Sequence, residues 1–290
     1  MNEMKRILVL GAVGMAGHAI ALYFKERGHR VTAYSVTPFP YCDNIVGNAF
    51  ETDHFRRMLL QGEYDAVINC IGILNEAADE NRSTALYLNS YLPHLIADTL
   101  KDTKTKLIHM STDCVFAGNT GPYNERSLRD GRSFYDRTKA LGEVEDCKNL
   151  TFRNSIVGPD LNEKGIGLFN WFMKQRGTIK GFTGALWTGV TTLTLAKAME
   201  RAIGEDLCGM YHLVNNAAIS KHDLLVLFNR YFRNDALTIL RSDEPRLDKS
   251  LTNTRRDFSF EVPSYERMVQ EMKEWVDAHS NLYPHYRGVA

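Results

Sequence analysis

The stretch Ile7-Leu-Val-Leu-Gly11-Ala-Val-Gly14-Met-Ala-Gly17 joins an apolar run to three regularly spaced glycines. The apolar run predicts a buried strand, and the residues after the last glycine have helical periodicity. In such a strand–turn–helix unit Gly11 permits the tight turn and Gly14 lets the backbone approach a pyrophosphate. Gly17 lets the helix pack closely on the sheet, so that the helix N-terminus faces the phosphates. The stretch therefore predicts a dinucleotide-binding turn.

Apolar runs of strand length recur along the first half of the chain and alternate with segments of helical period. The expected strands are Ile7 to Leu10, Val31 to Tyr34, Ala66 to Ile71, Leu107 to Met110 and Phe152 to Val157. The expected helices are Ala16 to Arg27, Ala85 to Lys101 and Thr138 to Cys147. Continuous apolar strands between amphipathic helices are typical of a parallel sheet covered on both faces. The expected fold class is therefore α/β, a Rossmann-type doubly wound parallel sheet.

Beyond residue 158 shorter strands and helices mix, and turn-formers such as Gly158-Pro159 and Glu244-Pro245 interrupt them. We interpret residues 1–158 as an NAD(P)-binding Rossmann domain, with parts of the C-terminal half returning to it. Residues 159–290 are expected to form mainly a smaller α/β lobe that binds the substrate.

The 290-residue chain balances 35 Lys and Arg against 35 Asp and Glu. This balance does not indicate nucleic acid or an anionic membrane as a partner, and no apolar run is long enough to span a membrane. The five cysteines are scattered without a Cys-x-x-Cys pair, and the histidines show no metal-ligand spacing, so no metal site is expected. Unpaired cysteines, and a first strand that begins close to the N-terminus, favour a cytoplasmic location.

A second feature is the strand end Ser111-Thr112, followed by Tyr135-Asp-Arg-Thr-Lys139. One helical turn places the phenol and the ammonium on the same helix face. A phenol with a pKa of about 10 is a poor acid at neutral pH, but the Lys139 ammonium is expected to lower the pKa of Tyr135. Tyr135 can then donate a proton to a carbonyl oxygen that Thr112 orients, while Lys139 holds the nicotinamide ribose. The alternative is an exposed i,i+4 pair on a helix surface.

The second predicted strand ends in Ala33-Tyr-Ser35-Val-Thr37, without the carboxylate that grips the ribose 2′-hydroxyl of NAD. Ser35 and Thr37 can instead bond a 2′-phosphate, and Arg30 begins the same strand. The sequence therefore favours NADPH as the cofactor, with NADH as the alternative.

These motifs together resemble the extended branch of the short-chain dehydrogenase/reductase superfamily, and within it the dTDP-4-dehydrorhamnose reductase group. The resemblance covers nearly the whole chain. Its most specific match is Ser111-Thr-Asp-Cys-Val-Phe116, which is close to the Ser-Thr-Asp-Tyr-Val-Phe of the group. The other matching segments are the glycine turn, Asn69-Cys-Ile-Gly72, Asn89, Tyr135-x-x-x-Lys139, Gly142-Glu143, Arg153-Asn-Ser-Ile-Val-Gly158, Gly209-Met-Tyr-His-Leu and Arg246-Leu-Asp-Lys-Ser.

The resemblance implies NAD(P)H-dependent reduction of the 4-keto group of a nucleotide-activated 6-deoxyhexose, in the biosynthesis of deoxysugars and cell-surface polysaccharides. It assigns catalysis to Thr112, Tyr135 and Lys139, in agreement with the roles argued from charge. It implies cofactor contacts from Gly11, Val13, Gly14, Met15, Gly17, Ser35, Asn48, Cys70, Ile71, Gly72, Asn89, Tyr135 and Lys139. It implies substrate contacts from Ser111, Asp113, Val115, Phe116, Asn154, Trp171 and Trp187.

Departures from the pattern of the group concern the sugar. Asp136 stands where the group often has Gly, and Asp130-Gly-Arg-Ser-Phe replaces the usual residues before Tyr135. Because that loop borders the sugar in the group, the hexose need not be 4-ketorhamnose, and a UDP-linked sugar is as plausible as a dTDP-linked one. Trp171 and Trp187 can each stack on a base or a sugar, or belong to the core.

Three other functions compete with the reductase. A 4,6-dehydratase carries Glu after Thr-Asp, and Cys114 at that position argues against it. A nucleotide-sugar 4-epimerase shares the catalytic trio but retains its cofactor. A non-catalytic NADP-binding subunit, like the regulatory subunit of methionine adenosyltransferase, needs none of Thr112, Tyr135 and Lys139. A homodimer is compatible with the resemblance, although the sequence itself does not indicate an oligomeric state.

Overall fold

The computed structural model describes residues 3–287. The strands are β1 (Arg6–Leu10), β2 (Arg30–Ser35), β3 (Asp43–Val46), β4 (Ala66–Asn69), β5 (Lys106–Ser111), β6 (Leu150–Arg153), β7 (Ile156–Val157), β8 (Thr178–Phe182), β9 (Ala185–Trp187), β10 (Val190–Thr191), β11 (Gly209–His212), β12 (Ile219–Ser220), β13 (Thr238–Ser242) and β14 (Leu247–Asp248).

The α-helices are α1 (Met15–Glu26), α2 (Thr52–Gln61), α3 (Asn75–Glu80), α4 (Arg82–Ala85), α5 (Leu92–Leu100), α6 (Phe134–Leu141), α7 (Leu168–Met173), α8 (Thr192–Gly204), α9 (Lys221–Arg233) and α10 (Tyr265–Ala278). A π-helical segment, Leu86–Tyr91, joins α4 to α5, and 3₁₀ turns occur at Asp113–Val115 and Pro284–Tyr286.

The central sheet has seven strands in the order β11-β6-β5-β4-β1-β2-β3, and every neighbouring pair in it is parallel. The chain order reverses between β1 and β4, which is the switch point where α/β sheets bind their ligands. This arrangement confirms the predicted Rossmann-type doubly wound sheet. The carboxyl ends of β1, β2, β4, β5 and β6 therefore lie at one edge, where the glycine turn and the catalytic candidates also lie.

The strands are apolar along their length because helices cover both faces of the sheet. Ile7, Leu8, Val9 and Leu10 of β1 are all fully buried. Ile7 and Val9 belong to one apolar cluster that includes side chains from α1, α8 and α10, whereas Leu8 and Leu10 belong to another that includes α2 and α5. The two clusters therefore cover the two faces of the central sheet, and the carboxyl edge between them forms the crevice in which the candidate site lies.

Smaller sheets build the second half of the chain. Parallel β8 and β13 pair with each other, β9 lies between β12 and β14, and β7 pairs with β10. However, β11 completes the edge of the central sheet beside β6, and α8 packs against α1. The division at residue 158 therefore remains an interpretation, with these two elements as the returning parts.

Candidate active site

The turn after β1 is built for close backbone approach. Gly11 has a φ of +79°, and a Cβ there would lie 3.1 Å from the carbonyl carbon of Cys70 at the end of β4. A Cβ on Gly17 would lie only 2.2 Å from the carbonyl oxygen of Gly11, so helix α1 packs directly on the turn. Gly14 is exposed and caps α1 without a side chain. The first N–H groups of α1 are thus left for a phosphate, and the residues fit a dinucleotide.

The neighbouring predicted cofactor residues line this turn in different ways. Val13 and Met15 are half-buried, and the Met15 sulfur lies 3.0 Å from where a Cβ on Gly167 would be. Met15 therefore connects the turn to the loop before α7, in the second half of the chain.

Asn89, in the π-helical segment, holds the loop after β4 by hydrogen bonds to its backbone. The Asn89 side chain is fully buried, accepts from the Ile73 N–H at 2.9 Å and donates to the Ile73 carbonyl at 2.9 Å. It also donates to the Thr138 hydroxyl on α6 at 3.2 Å. These bonds use the amide within the protein, so Asn89 shapes the loop that carries Cys70, Ile71 and Gly72.

Helix α6 carries the Tyr-Lys pair, and a capping box fixes its first turn. The Ser133 hydroxyl accepts from the Asp136 N–H at 3.0 Å, and the Asp136 carboxylate accepts from the N–H groups of Arg132 and Ser133, both at 3.1 Å. The Asp130 carboxylate accepts from the Ala117 N–H at 2.8 Å. The two aspartates that depart from the group's pattern therefore hold this loop and helix, and their effect on the choice of hexose stays a prediction.

Tyr135 is buried in the crevice, 7% exposed, with its phenol beside the Thr112 hydroxyl. Burial is the largest effect on the Tyr135 phenol and raises its pKa, and the nearby Cys114 and Asp113 raise it further. The prediction that Lys139 lowers the pKa of Tyr135 is therefore wrong for this structure, because desolvation outweighs any attraction of the phenolate to the ammonium. Tyr135 stays protonated at neutral pH.

Lys139 lies one helical turn further along α6 and reaches the end of β5. Its ammonium donates to the backbone carbonyl of Met110 at 2.7 Å. Burial lowers the pKa of Lys139 to about 8, although Glu143 and Cys70 act in the opposite direction. The side chain is 6% exposed. Lys139 therefore places a partly desolvated cation between the ends of β4 and β5.

Ser111 has a structural partner rather than a free hydroxyl. It donates to the Glu143 carboxylate at 2.5 Å, and Arg153 donates to the same carboxylate at 2.6 and 2.8 Å. Arg129 also pairs with Glu143. Burial raises the pKa of Glu143, but the contacts with Arg153, Ser111 and Arg129 outweigh burial and hold this pKa below its usual range. This network ties β5 and β6 to the segment that directly follows α6.

The predicted substrate residues divide into core and crevice positions. Val115 and Phe116 are fully buried in an apolar cluster with Tyr123, so they support the site from behind. Trp171, on α7, is 41% exposed. Among the described residues, Trp171 makes no hydrogen bond or ring contact with Tyr135; its backbone carbonyl accepts from the Gln175 side chain.

Asp113, Asn154 and Trp187 are buried, and two of them carry a polar atom without a partner in the described part of the chain. The Asn154 Oδ1 and the Trp187 Nε1 have no hydrogen-bond partner among the described residues. Burial raises the pKa of Asp113, while Lys221 and Lys249 lower it. Sequence reasoning assigned no role to either lysine, since each lies more than a hundred residues along the chain from Asp113.

The residues predicted to contact the adenosine part of the cofactor lie after β2 and β3. The Ser35 hydroxyl donates to the Thr37 carbonyl at 2.7 Å, and the Asn48 side chain accepts from the Phe50 N–H at 3.1 Å. Arg30 is the first residue of β2 and faces Asp43 at 3.9 Å. It lies at the opposite end of β2 from Ser35, about 16 Å away at the rise of a strand. The argument that Arg30 serves a 2′-phosphate is therefore wrong.

A dehydratase, a metal site and a membrane span would each need particular residues within residues 3–287. Burial raises the pKa of the Cys114 thiol to about 12, so this side chain is a poor replacement for a catalytic Glu. The described part of the chain contains no cluster of three His, Cys, Asp or Glu side chains able to hold a metal ion. Within that part, no helix is long and apolar enough to cross a membrane.

A doubly wound parallel sheet, a glycine turn at its switch point and a buried Tyr-x-x-x-Lys pair beside a strand-end threonine define an extended short-chain dehydrogenase/reductase. Residues 4–273 match the model of the RmlD substrate binding domain family. The chain belongs to this family.

Several known proteins are similar to the chain over most of its length. A probable low-salt glycan biosynthesis reductase of Haloferax volcanii is 27% identical over 261 residues, covering 86% of this chain and 87% of the relative. The dTDP-4-dehydrorhamnose reductase of Salmonella typhimurium is 24% identical over 293 residues, covering 92% and 96%. A crystal structure of dTDP-4-dehydrorhamnose reductase from Bacillus anthracis in complex with NADP superposes with a TM-score of 0.78 at 18% identity, covering 92% and 98%. The last comparison supports the fold.

Proposed function

We propose that this protein is an NADPH-dependent reductase of the 4-keto group of a nucleotide-activated 6-deoxyhexose. The observation that carries the proposal is the buried Tyr135 phenol beside the Thr112 hydroxyl, at the sheet edge where the glycine turn lies. The names of the relatives, dTDP-4-dehydrorhamnose reductase and glycan biosynthesis reductase, support the same reaction. They favour it over an epimerase or a non-catalytic subunit.

Tyr135 is the proposed proton donor. When bound at the glycine turn, NADPH supplies the hydride that the carbonyl carbon receives. The carbonyl oxygen then needs one proton to become a hydroxyl, and a phenol with a raised pKa is fully protonated at neutral pH. Thr112 donates to the Asp113 carboxylate at 3.2 Å, and rotation of this hydroxyl would let it donate to the substrate oxygen instead. Together the two hydroxyls would orient the carbonyl.

Lys139 is proposed to hold the nicotinamide ribose and to stabilise the phenolate that remains after proton transfer. One of its donors is used by the Met110 carbonyl, and an ammonium has three. Its two remaining donors are available for a ribose hydroxyl and for the phenol oxygen of Tyr135. With a pKa of about 8, Lys139 can also pass a proton to the phenolate near neutral pH.

The sugar is proposed to contact Asp113, Asn154 and Trp187. Asp113 can accept from a ring hydroxyl, while the unpaired Asn154 Oδ1 and Trp187 Nε1 supply an acceptor and a donor. Buried polar atoms without partners carry a free-energy cost that a bound polyhydroxylated ligand relieves. Both dTDP- and UDP-linked hexoses remain candidates.

A panel assay tests the proposed reaction. Purified protein is mixed with NADPH and dTDP- or UDP-linked 4-keto-6-deoxyhexoses, and loss of absorbance at the nicotinamide band is followed with product analysis by mass spectrometry. Stoichiometric NADPH oxidation with a sugar product two mass units heavier is expected. An epimerase would give an isomeric sugar without net NADPH consumption, and a non-catalytic subunit would give neither.

Cofactor preference, location and oligomeric state are further parts of the proposal. We expect NADPH to be used in preference to NADH, with no acidic residue at the end of β2. The five cysteines are free in the structure, which suits the reducing cytoplasm. A homodimer is proposed from the family resemblance, and its mass in solution is measurable by light scattering.

A further inference from the structure

Two lysines from distant parts of the chain follow strands that pair with β9 on either side: Ser220, just before Lys221, and Asp248, just before Lys249, both pair with Leu186. Lys221 is the first residue of α9, and Lys249 follows β14. Both act on the Asp113 carboxylate strongly enough to offset part of the effect of burial on its pKa. Neither ammonium has a hydrogen-bond acceptor or an ion-pair partner within bonding distance among residues 3–287. Two cations therefore act on Asp113 without a protein counterion in contact among those residues.

Lys249 is held in place by its backbone. The Asp248 N–H donates to the Gly118 carbonyl at 3.0 Å, and the Tyr123 N–H donates to the Ser250 carbonyl at 2.8 Å. The Lys249 stem packs where a side chain on Gly118 would be, with its Cγ at 2.8 Å from that Cβ position. This segment is thus fixed to the loop that directly follows Phe116 in the strand-end motif.

Lys221 lies over a buried tryptophan. Its ammonium is 6.0 Å from the centre of the Trp187 ring. Trp187 is 3% exposed, and its Nε1 donor has no partner among the described residues. A buried indole N–H normally finds an acceptor. An unused buried donor next to an unpaired ammonium indicates a ligand rich in oxygen acceptors.

A cavity lies beside β9 and β14, next to Leu186, the residue that precedes Trp187. Its volume is about 530 Å³, and Gly118, Leu186, Arg246 and Leu247 contribute to its wall. Pockets for small ligands are commonly about 300–1,000 Å³ and largely apolar with a few polar groups. Because Leu247 of the cavity wall and the Lys249 stem both pack at Gly118, Lys249 lies beside the cavity.

We propose that Lys221 and Lys249 form an anion subsite for the diphosphate of the nucleotide sugar, with the hexose towards Tyr135 and the nucleoside in the cavity beside Gly118. The proposal rests on the proposed function for the position of the hexose. A diphosphate diester carries two negative charges, and the local charge of two ammoniums and one carboxylate is +1. Lysine is a suitable point charge for phosphate oxygens. Lys221, which no motif of the family resemblance includes, becomes a substrate-binding residue of this chain.

Binding of nucleoside diphosphates tests this subsite without requiring turnover. The full chain, saturated with NADP⁺, is titrated with dTDP, UDP and inorganic pyrophosphate by isothermal calorimetry. Lys221→Met and Lys249→Met are each expected to weaken binding of at least one nucleoside diphosphate roughly tenfold or more, as expected for a lost hydrogen bond to a charged group. Lys221→Arg keeps the charge and is expected to stay within about threefold of the parent.

Lys180→Met is the matched control, because Lys180 is an exposed lysine of β8 in the same half of the chain. It is expected to bind like the parent protein. The subsite proposal is overturned if the parent binds neither nucleoside diphosphate, if the Lys221→Met/Lys249→Met double variant binds as the parent does, or if Lys180→Met weakens binding equally. Turnover in the sugar panel together with unaffected diphosphate binding in the double variant would reject the subsite while leaving the reductase intact.

Discussion

The Lys139 ammonium donates to the backbone carbonyl of Met110 at 2.7 Å, inside the crevice at the end of β5. The contact orients the lysine of α6 towards the central sheet while leaving two of its donors available. It also keeps the ammonium in a desolvated position, so that burial lowers the pKa of Lys139 to about 8. The same feature that prepares Lys139 for the proposed role is therefore a cost to the stability of the fold.

Replacement of Lys139 by Met should stabilise the protein in the absence of cofactor. The pKa of 10.5 expected in the unfolded chain and about 8 in the fold corresponds to about 3 kcal/mol. Loss of the hydrogen bond to Met110 offsets about 1 kcal/mol of this gain. The variant is expected to be more stable by about 2 kcal/mol at pH 7, measured as the free energy of unfolding in urea.

The pH dependence of that difference has a defined sign. Between pH 8 and 10.5 the unfolded chain binds more protons at Lys139 than the fold does, so the stability of the parent rises with pH in this window. The advantage of Lys139→Met should therefore shrink as pH rises through it. A difference that is constant with pH, or a variant less stable than the parent at pH 7, would show that the buried ammonium carries no such cost.

Gly17→Ala should damage the dinucleotide turn. The added Cβ would lie 2.2 Å from the Gly11 carbonyl oxygen and 2.9 Å from the Ala12 Cα, and both are backbone atoms that cannot rotate away. Overpacking of this kind costs about 1–3 kcal/mol, and the shifted turn is expected to weaken NADPH binding at least tenfold. Nicotinamide fluorescence measures the affinity.

Gly204→Ala is the control for Gly17→Ala. Gly204 ends α8, and no heavy atom lies within 4 Å of the position of an added Cβ. This variant is expected to gain about 0.5–1 kcal/mol from helix propensity and to bind NADPH normally. Equal NADPH affinities in the two alanine variants would contradict the close packing of α1 on the turn.

The dinucleotide turn could be predicted from the sequence because its requirements are local. Glycine at positions 11, 14 and 17 follows a strand directly, and the conformation and close contacts of this unit arise within a few residues. The placement of Thr112 at a strand end, with Tyr135 and Lys139 on a helix after it, could likewise be predicted from the strand and helix patterns.

Properties that depend on tertiary surroundings could not be predicted. The direction of the Tyr135 pKa shift follows from burial against residues of several elements, whereas the sequence offered only the neighbouring lysine. The helix expected over residues 138–147 begins earlier, at Phe134, because Ser133 and Asp136 form a capping box that periodicity does not reveal. Lys221 and Lys249 approach Asp113 only through the folding of the second half of the chain.

Asp136→Ala tests whether the capping box positions Tyr135. Loss of the contacts to the Arg132 and Ser133 N–H groups is expected to cost about 1 kcal/mol of stability. The looser first turn should lower kcat for the sugar while the KM for NADPH changes little. Arg137→Ala, at an exposed neighbour on α6, is expected to retain the parent kcat; an Asp136→Ala enzyme with parental kcat would remove Asp136 from any positioning role.

Cofactor preference should be insensitive to Arg30. Its position at the far end of β2 predicts that Arg30→Ala leaves the ratio of kcat/KM for NADPH and NADH unchanged within about twofold. Thr37→Glu, at the exposed segment after the other end of β2, should shift the ratio towards NADH, because a carboxylate repels the 2′-phosphate. A strong loss of NADPH preference in Arg30→Ala would contradict the strand geometry.

Transfer of deuterium to the sugar from NADPH that carries deuterium at both C4 positions of the nicotinamide, [4,4-²H₂]NADPH, tests the central claim most directly. With the nucleotide 4-keto-6-deoxyhexose turned over in the panel, the parent protein is expected to give a product that carries one deuterium at C4. Tyr135→Phe should bind NADPH normally yet form this product about 10²–10⁴ times more slowly, as expected for loss of an acid catalyst. A product without deuterium, or undiminished transfer by Tyr135→Phe, would contradict carbonyl reduction at Tyr135.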